Sequence, residues 1–163
     1  MRRLALFGAS GFIGGHVLAA LRSRGTSVEV LCIGRTRVPE VPWARFDLAT
    51  GDPGELATLL RAWRPDSVIN CSGTTVGTAD ELAVGNVVTV RTLVRAMERG
   101  VTGASVVHLG SAAEYGPSAM HDLTTEDRAC EPTSEYGASK LEATRVLLEN
   151  AASAGIQATV LRV

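Results

Sequence analysis

The chain has 163 residues and a formal net charge of −1, the size of one domain, with no charge excess to suit a nucleic acid or an acidic membrane surface. Hydrophobic residues make up 45% of it, enough at this length to bury a sizeable core. Arginines, glutamates or glycines interrupt every apolar run well short of the roughly 18 residues that a membrane span needs. Cys32, Cys71 and Cys130 show no CxxC spacing, which points to a reducing, cytoplasmic setting, and Cys32 and Cys71 read as small hydrophobes within strands.

Taken in chain order, short β-branched runs alternate with helical patterns, the signature of a parallel sheet with crossover helices. The N-terminus is basic, but its apolar run Leu4–Phe7 stops at a glycine, too soon for a signal peptide. A first strand is expected there. Phe12–Arg24 follows as a helix with Ile13, Val17, Ala20 and Leu21 on one face and Gly25 as its stop. Strands are expected at Val28–Ile33 and, briefly, Ala44–Phe46. Pro53–Trp63 reads as a helix, with Asp52 as N-cap and Pro53 at the first helical position. A strand at Ser67–Cys71 and a long helix at Leu82–Arg99 come next, with Arg95 and Arg99 where cations suit the helix dipole. Ser105–Leu109 and Ala158–Arg162 complete the strands, with a helix at Glu135–Ala154 between them. Right-handed crossovers give an open, doubly wound, mostly parallel sheet of Rossmann type with helices on both faces. Ser111 to Ser134 is one longer irregular segment, of the kind that is usually functional or disordered.

The first strand runs directly into Gly8-Ala9-Ser10-Gly11-Phe12-Ile13-Gly14 and then a helix. In a dinucleotide site the first glycine allows the turn, the second lets backbone approach a pyrophosphate, and the third lets the helix pack closely. The helix N-terminus supplies N–H donors and partial positive charge. The strand before and helix after separate this string from a turn that binds nothing. The residue that reads the adenosine ribose is expected about 20 positions beyond the last glycine, where Gly34, Arg35 and Arg37 stand. A guanidinium matches a 2′-phosphate, so NADP(H) is favoured, with NAD(H) the alternative and solvated loop arginines the plain reading.

Tyr136 and Lys140 lie four residues apart at the start of a helix and share a face. A phenol is a weak acid and base at neutral pH, and a neighbouring ammonium favours the phenolate, so the pair suits proton exchange with a substrate hydroxyl or carbonyl. The same spacing also describes an ordinary exposed helix face. Ser111 falls at the carboxyl mouth of the Ser105–Leu109 strand, where ligands bind in such sheets. His16, His108 and His121 have neither metal-ligand spacing nor a shared face, and no carboxylate or Cys/His cluster suggests a metal. Trp43 and Trp63 read as packing residues, and His108 as packed within its strand. Tyr115 divides evenly between packing and lining the cleft.

These strings together resemble the extended short-chain dehydrogenase/reductases of the NAD-dependent epimerase/dehydratase group. The resemblance rests on Gly8-xx-Gly11-xx-Gly14, Phe46-Asp47-Leu48, Val68 to Gly73, Asn86-Val87, His108 to Gly116 and Tyr136-xxx-Lys140, with Ser111 and Tyr136 25 positions apart. It implies Tyr136 as acid/base, Lys140 as anchor of the nicotinamide ribose and Ser111 as orienter of the substrate. It further implies Gly8, Ser10, Gly11, Phe12, Ile13 and Gly14 at the pyrophosphate, Asp47 and Leu48 at adenine, and Ser72, Gly73 and Asn86 beside the cofactor. Dehydratases of the group follow the serine position with Asp-Glu; Ala112-Ala113 stands here instead, favouring a 4-keto-sugar reductase or epimerase on a nucleotide-linked sugar, with a homodimer as the candidate assembly. Members continue past the sixth strand into a substrate domain. The chain is therefore expected to be one dinucleotide-binding domain, 1–163, ending on a buried strand as part of a longer enzyme. The other reading is a cofactor-binding module without turnover.

Overall fold

The computed structural model describes residues 2–25, 27–101, 103–118 and 123–163; His121 lies outside them. Six strands form one parallel sheet: β1 (Arg2–Phe7), β2 (Val28–Gly34), β3 (Trp43–Arg45), β4 (Ser67–Asn70), β5 (Ser105–Gly110) and β6 (Ala158–Arg162). Their spatial order is β3-β2-β1-β4-β5-β6. The reversal between β1 and β4 creates the crevice where ligands bind in open sheets of this type.

Helices α1 (Phe12–Ser23), α2 (Pro53–Trp63), α3 (Ala79–Leu82), α4 (Thr89–Gly100) and α5 (Glu135–Ser153) supply the crossovers. The main core packs α2, α4 and α5 against one face of the sheet, through Phe7, Ile33, Leu56, Leu60, Leu93 and Met97. A smaller cluster on the other face joins Leu18 of α1 to Leu6 and Cys32. Alternation along each strand divides the two sets, because successive side chains point to opposite faces. Asp52 caps α2 as expected, its Oδ1 accepting from Gly54 N–H at 2.8 Å and Glu55 N–H at 3.1 Å.

Two expectations change. The helix expected over Leu82–Arg99 begins earlier, at Ala79, and six residues of π-helix, Ala83–Val88, separate α3 from α4. Its start is fixed by a capping box: Glu81 N–H donates to Thr78 Oγ1, and the Glu81 carboxylate accepts from Thr78 N–H at 2.8 Å. Those bonds hold the exposed Glu81 carboxyl below its usual range. The last strand is also not buried. β6 lies at the sheet edge and alternates between half-buried and exposed residues. No helix among the described residues is long and apolar enough to cross a membrane.

Candidate dinucleotide and proton-transfer site

The β1–α1 turn can form only with glycine. Gly8 has φ +73°, in the left-handed region, and a Cβ there would lie 2.7 Å from the Cys71 and Ser72 backbone. A Cβ on Gly14 would sit 2.2 Å from the Gly8 carbonyl oxygen, so the first turn of α1 rests directly on the loop. No side chain caps the α1 N-terminus and no acidic residue stands in its first turn. Its outward N–H groups and dipole are left for an anion, which fits a pyrophosphate.

A cavity of about 660 Å³ opens in front of this loop, along the carboxyl ends of β1, β2 and β4. Gly8, Ser10 and Gly11 line its floor, Arg35 and Asp47-Leu48 one wall, and Ser72-Gly73 another. Arg37 is exposed and not among the lining residues. Phe12 and Ile13, 82% and 41% exposed, stand outside the cavity at the head of α1, and Phe12 packs on the ring of His16. Trp43 also lines the cavity, whereas Trp63 packs under Arg3 and donates to Leu4 O.

The second half of the site is built where β4 and β5 end. Lys140 is 5% exposed and donates from Nζ to Leu109 O at 2.6 Å. Burial pushes its ammonium below the usual lysine range, and the charge of Glu114 partly opposes that. Gly137 brings α5 against the turn after Ser111, since a Cβ there would meet Ala113 O at 2.5 Å. Tyr136, half-buried, stands one residue before that contact. Ser111, Tyr136 and Lys140 are thus gathered on two adjoining pieces of chain, the β5 mouth and the first turns of α5. Gly73 joins them to the cofactor cavity; a Cβ there would lie 2.9 Å from Asn86 Oδ1 and 3.9 Å from Lys140 Nζ.

Asn86 is buried beneath the site, not exposed on a helix. Its Oδ1 accepts from Thr74 N–H, and its Nδ2 donates to Thr74 O and to Ser139 Oγ, each at 2.9 Å. Thr74 and Ser139 are site-building residues that sequence reasoning passed over; Ser139 sits inside the Tyr136-to-Lys140 string, one place before the lysine. Beneath them, Asn70 Oδ1 accepts from Ser72 N–H at 3.0 Å, which orients the amide so that Nδ2 donates to His108 Nδ1 at 3.1 Å. His108 is therefore more than a strand-packing residue. Tyr115 is a packing residue, buried with its hydroxyl accepting from Arg162.

Fold and site define a Rossmann domain with a cradle for a dinucleotide. The chain belongs to the NAD dependent epimerase/dehydratase family, whose model matches residues 4–163, within the extended short-chain dehydrogenase/reductases. It is 36% identical, over 98% of its length, to dTDP-6-deoxy-L-talose 4-dehydrogenase (NAD(P)(+)) of Kitasatospora kifunensis, covering 51% of that protein. It is 30% identical over 98% to UDP-glucose 4-epimerase of Corynebacterium glutamicum, covering 50%. Among solved structures, the UDP-glucose 4-epimerase of Thermus thermophilus in complex with NAD superposes with a TM-score of 0.85 at 26% identity, over 98% of this chain and 54% of that one. The chain spans about half the length of the curated relatives it matches.

Proposed function

We propose that this chain carries the cofactor-binding and proton-transfer machinery of an NAD(P)-dependent oxidoreductase acting on a nucleotide-linked keto- or hydroxy-sugar, as a 4-keto-sugar reductase or epimerase. The observation that carries this reading is the junction of α5 with the β5 mouth: Lys140 Nζ on Leu109 O at 2.6 Å, and Gly137 against the Ala113 carbonyl. It supports the reading because it holds Tyr136, the buried Lys140 ammonium and Ser111 on adjoining pieces of chain, the set that proton transfer at a carbinol or carbonyl oxygen would use. Held by the glycine turn of Gly8, Gly11 and Gly14 and the α1 N-terminus, a nicotinamide cofactor would supply or take the hydride. Tyr136 gives its phenolic proton to the sugar oxygen in reduction and takes it back in oxidation, Ser111 holds that oxygen, and Lys140 holds positive charge beside the pair.

Ala112 and Ala113 themselves bring no carboxyl, and the nearby Glu114 carboxylate is taken up by Ser111 N–H and Arg162, which argues against water elimination. Arg35, exposed at the cavity wall, favours NADP(H) over NAD(H) because a guanidinium suits the 2′-phosphate. The name of the talose dehydrogenase allows either cofactor. Three cysteines outside any disulfide fit a reducing, cytoplasmic compartment, and a homodimer is compatible with the fold.

The test is Tyr136→Phe in the protein expressed from its complete reading frame. Turnover of nucleotide sugars should fall by about 10²-fold or more, with cofactor affinity measured by calorimetry unchanged. Retained turnover would sink the assignment. A wild type that binds cofactor and turns over no sugar would favour a binding module.

A further inference from the structure

Glu114 has no assigned part in this chemistry, yet its carboxylate is completely buried, directly under the turn that carries Ser111. A carboxylate taken out of water is costly unless both oxygens are matched. Here they are matched to two different pieces of the fold. One oxygen accepts from the backbone N–H of Ser111 at 2.8 Å. The other accepts from Arg162 Nε, also at 2.8 Å. Arg162 reaches in from β6, lays its guanidinium over the Tyr115 ring at 4.7 Å, and donates to the Tyr115 hydroxyl at 2.9 Å.

The surrounding backbone is shaped around this pair. A Cβ on Gly110 would lie 2.6 Å from the Glu114 carboxylate and 3.1 Å from Arg162 Cγ, so only glycine leaves them room. Ala112 N–H donates to Val163 O at 2.9 Å, tying the same turn a second time to the end of β6. Glu114 thus holds the main chain of Ser111 and leaves its hydroxyl alone. Among the described residues the Ser111 Oγ accepts only from Ala113 N–H, at 3.3 Å, and a hydroxyl that is accepting keeps its own hydrogen to donate. The extended backbone of Ser111, φ −146° and ψ 144°, sets the direction in which its Cβ leaves the chain.

We propose that the buried Glu114–Arg162 pair is a positioning device for Ser111, fixing the serine's main chain so that its hydroxyl meets the substrate oxygen shared with Tyr136. The inference rests on the functional reading above and adds two residues to it, neither of which touches substrate. A misplacement of about 1 Å at a reacting group costs on the order of 10²-fold in rate, which is the effect the pair prevents.

The test is a double-mutant cycle of Glu114→Gln with Ser111→Ala in the protein expressed from its complete reading frame. Glutamine keeps the shape and one acceptor but loses the charge that holds Arg162. Glu114→Gln should lower kcat by about 10- to 100-fold while KM for the nucleotide sugar and the cofactor dissociation constant stay within about threefold. In the Ser111→Ala background the same change should cost less than about threefold more, since the group being positioned is gone. Multiplying losses, or an unchanged kcat in the single variant, would overturn the device.

If the wild type turns over no sugar, it is the functional reading that fails, and the device is read by backbone amide exchange. Ser111 N–H should then exchange at least about 10-fold faster in Glu114→Ala, or in Glu114→Leu where alanine does not fold, than in wild type. Equal rates would overturn it.

Discussion

Arg35 is the single residue on which the proposed cofactor preference turns. It follows the last residue of β2, exposed, on the wall of the cavity that faces the glycine loop. The acidic side chain on that wall, Asp47, is already engaged, with its Oδ1 accepting from Ala49 N–H at 2.9 Å. A 2′-phosphate would therefore meet a guanidinium that has no hydrogen bond or ion pair among the described residues. Arg35→Ala should weaken NADPH binding by about 10- to 100-fold, the worth of a charged hydrogen-bonded pair, and leave NADH within about threefold. Calorimetric titration of both cofactors against both proteins measures this. Tighter binding of NADH by the wild type would remove Arg35 from the cofactor's recognition. Arg37, two residues on and outside the cavity lining, should be silent in the same titrations.

At the scale of elements, what the sequence displayed was local chemistry. A strand, a glycine turn and a helix follow one another within fifteen residues, so Gly8, Gly11 and Gly14 can be read without knowing the rest of the fold. The Asp52-Pro53 start of α2 is equally self-contained. The π segment was not legible, because its cause is a partner distant in sequence. A Cβ on Gly85 would come within 2.3 Å of Thr74 Oγ1, and Asn86 bonds to Ser139 from 53 positions away. Widened turns of this kind concentrate at functional sites, and here the widening buries an amide that joins the β4 loop to α5. Glu114 and Arg162 escaped for the same reason, being 48 positions apart. Asn86→Ala removes three bonds and strands the Thr74 backbone, at a cost of about 2–3 kcal/mol. Urea unfolding should show that loss together with weakened cofactor binding. A change below about 0.5 kcal/mol would mean the bridge contributes nothing to the element.

The whole molecule carries one consequence of placing polar groups under its sheet edge. His108, 1% exposed, accepts at Nδ1 from Asn70 and has Lys140 as its charged neighbour. Burial first, and the lysine's positive charge second, push the imidazole down to about 3 from its usual 6.5. The folded protein thus keeps His108 neutral over a range where the unfolded chain binds a proton. Stability from this group is fully present above pH ~6.5 and is lost as pH falls towards 3, at up to ~1.4 kcal/mol per pH unit. Between pH 7.5 and 5.0 the loss amounts to about 2 kcal/mol. Carboxylates contribute in the same direction further down, so the decisive quantity is a difference between proteins. Urea unfolding free energies of wild type and His108→Gln, measured at both pH values, should show a pH-dependent loss smaller by about 2 kcal/mol in the variant. Parallel losses in the two proteins would place the acid sensitivity elsewhere in the fold.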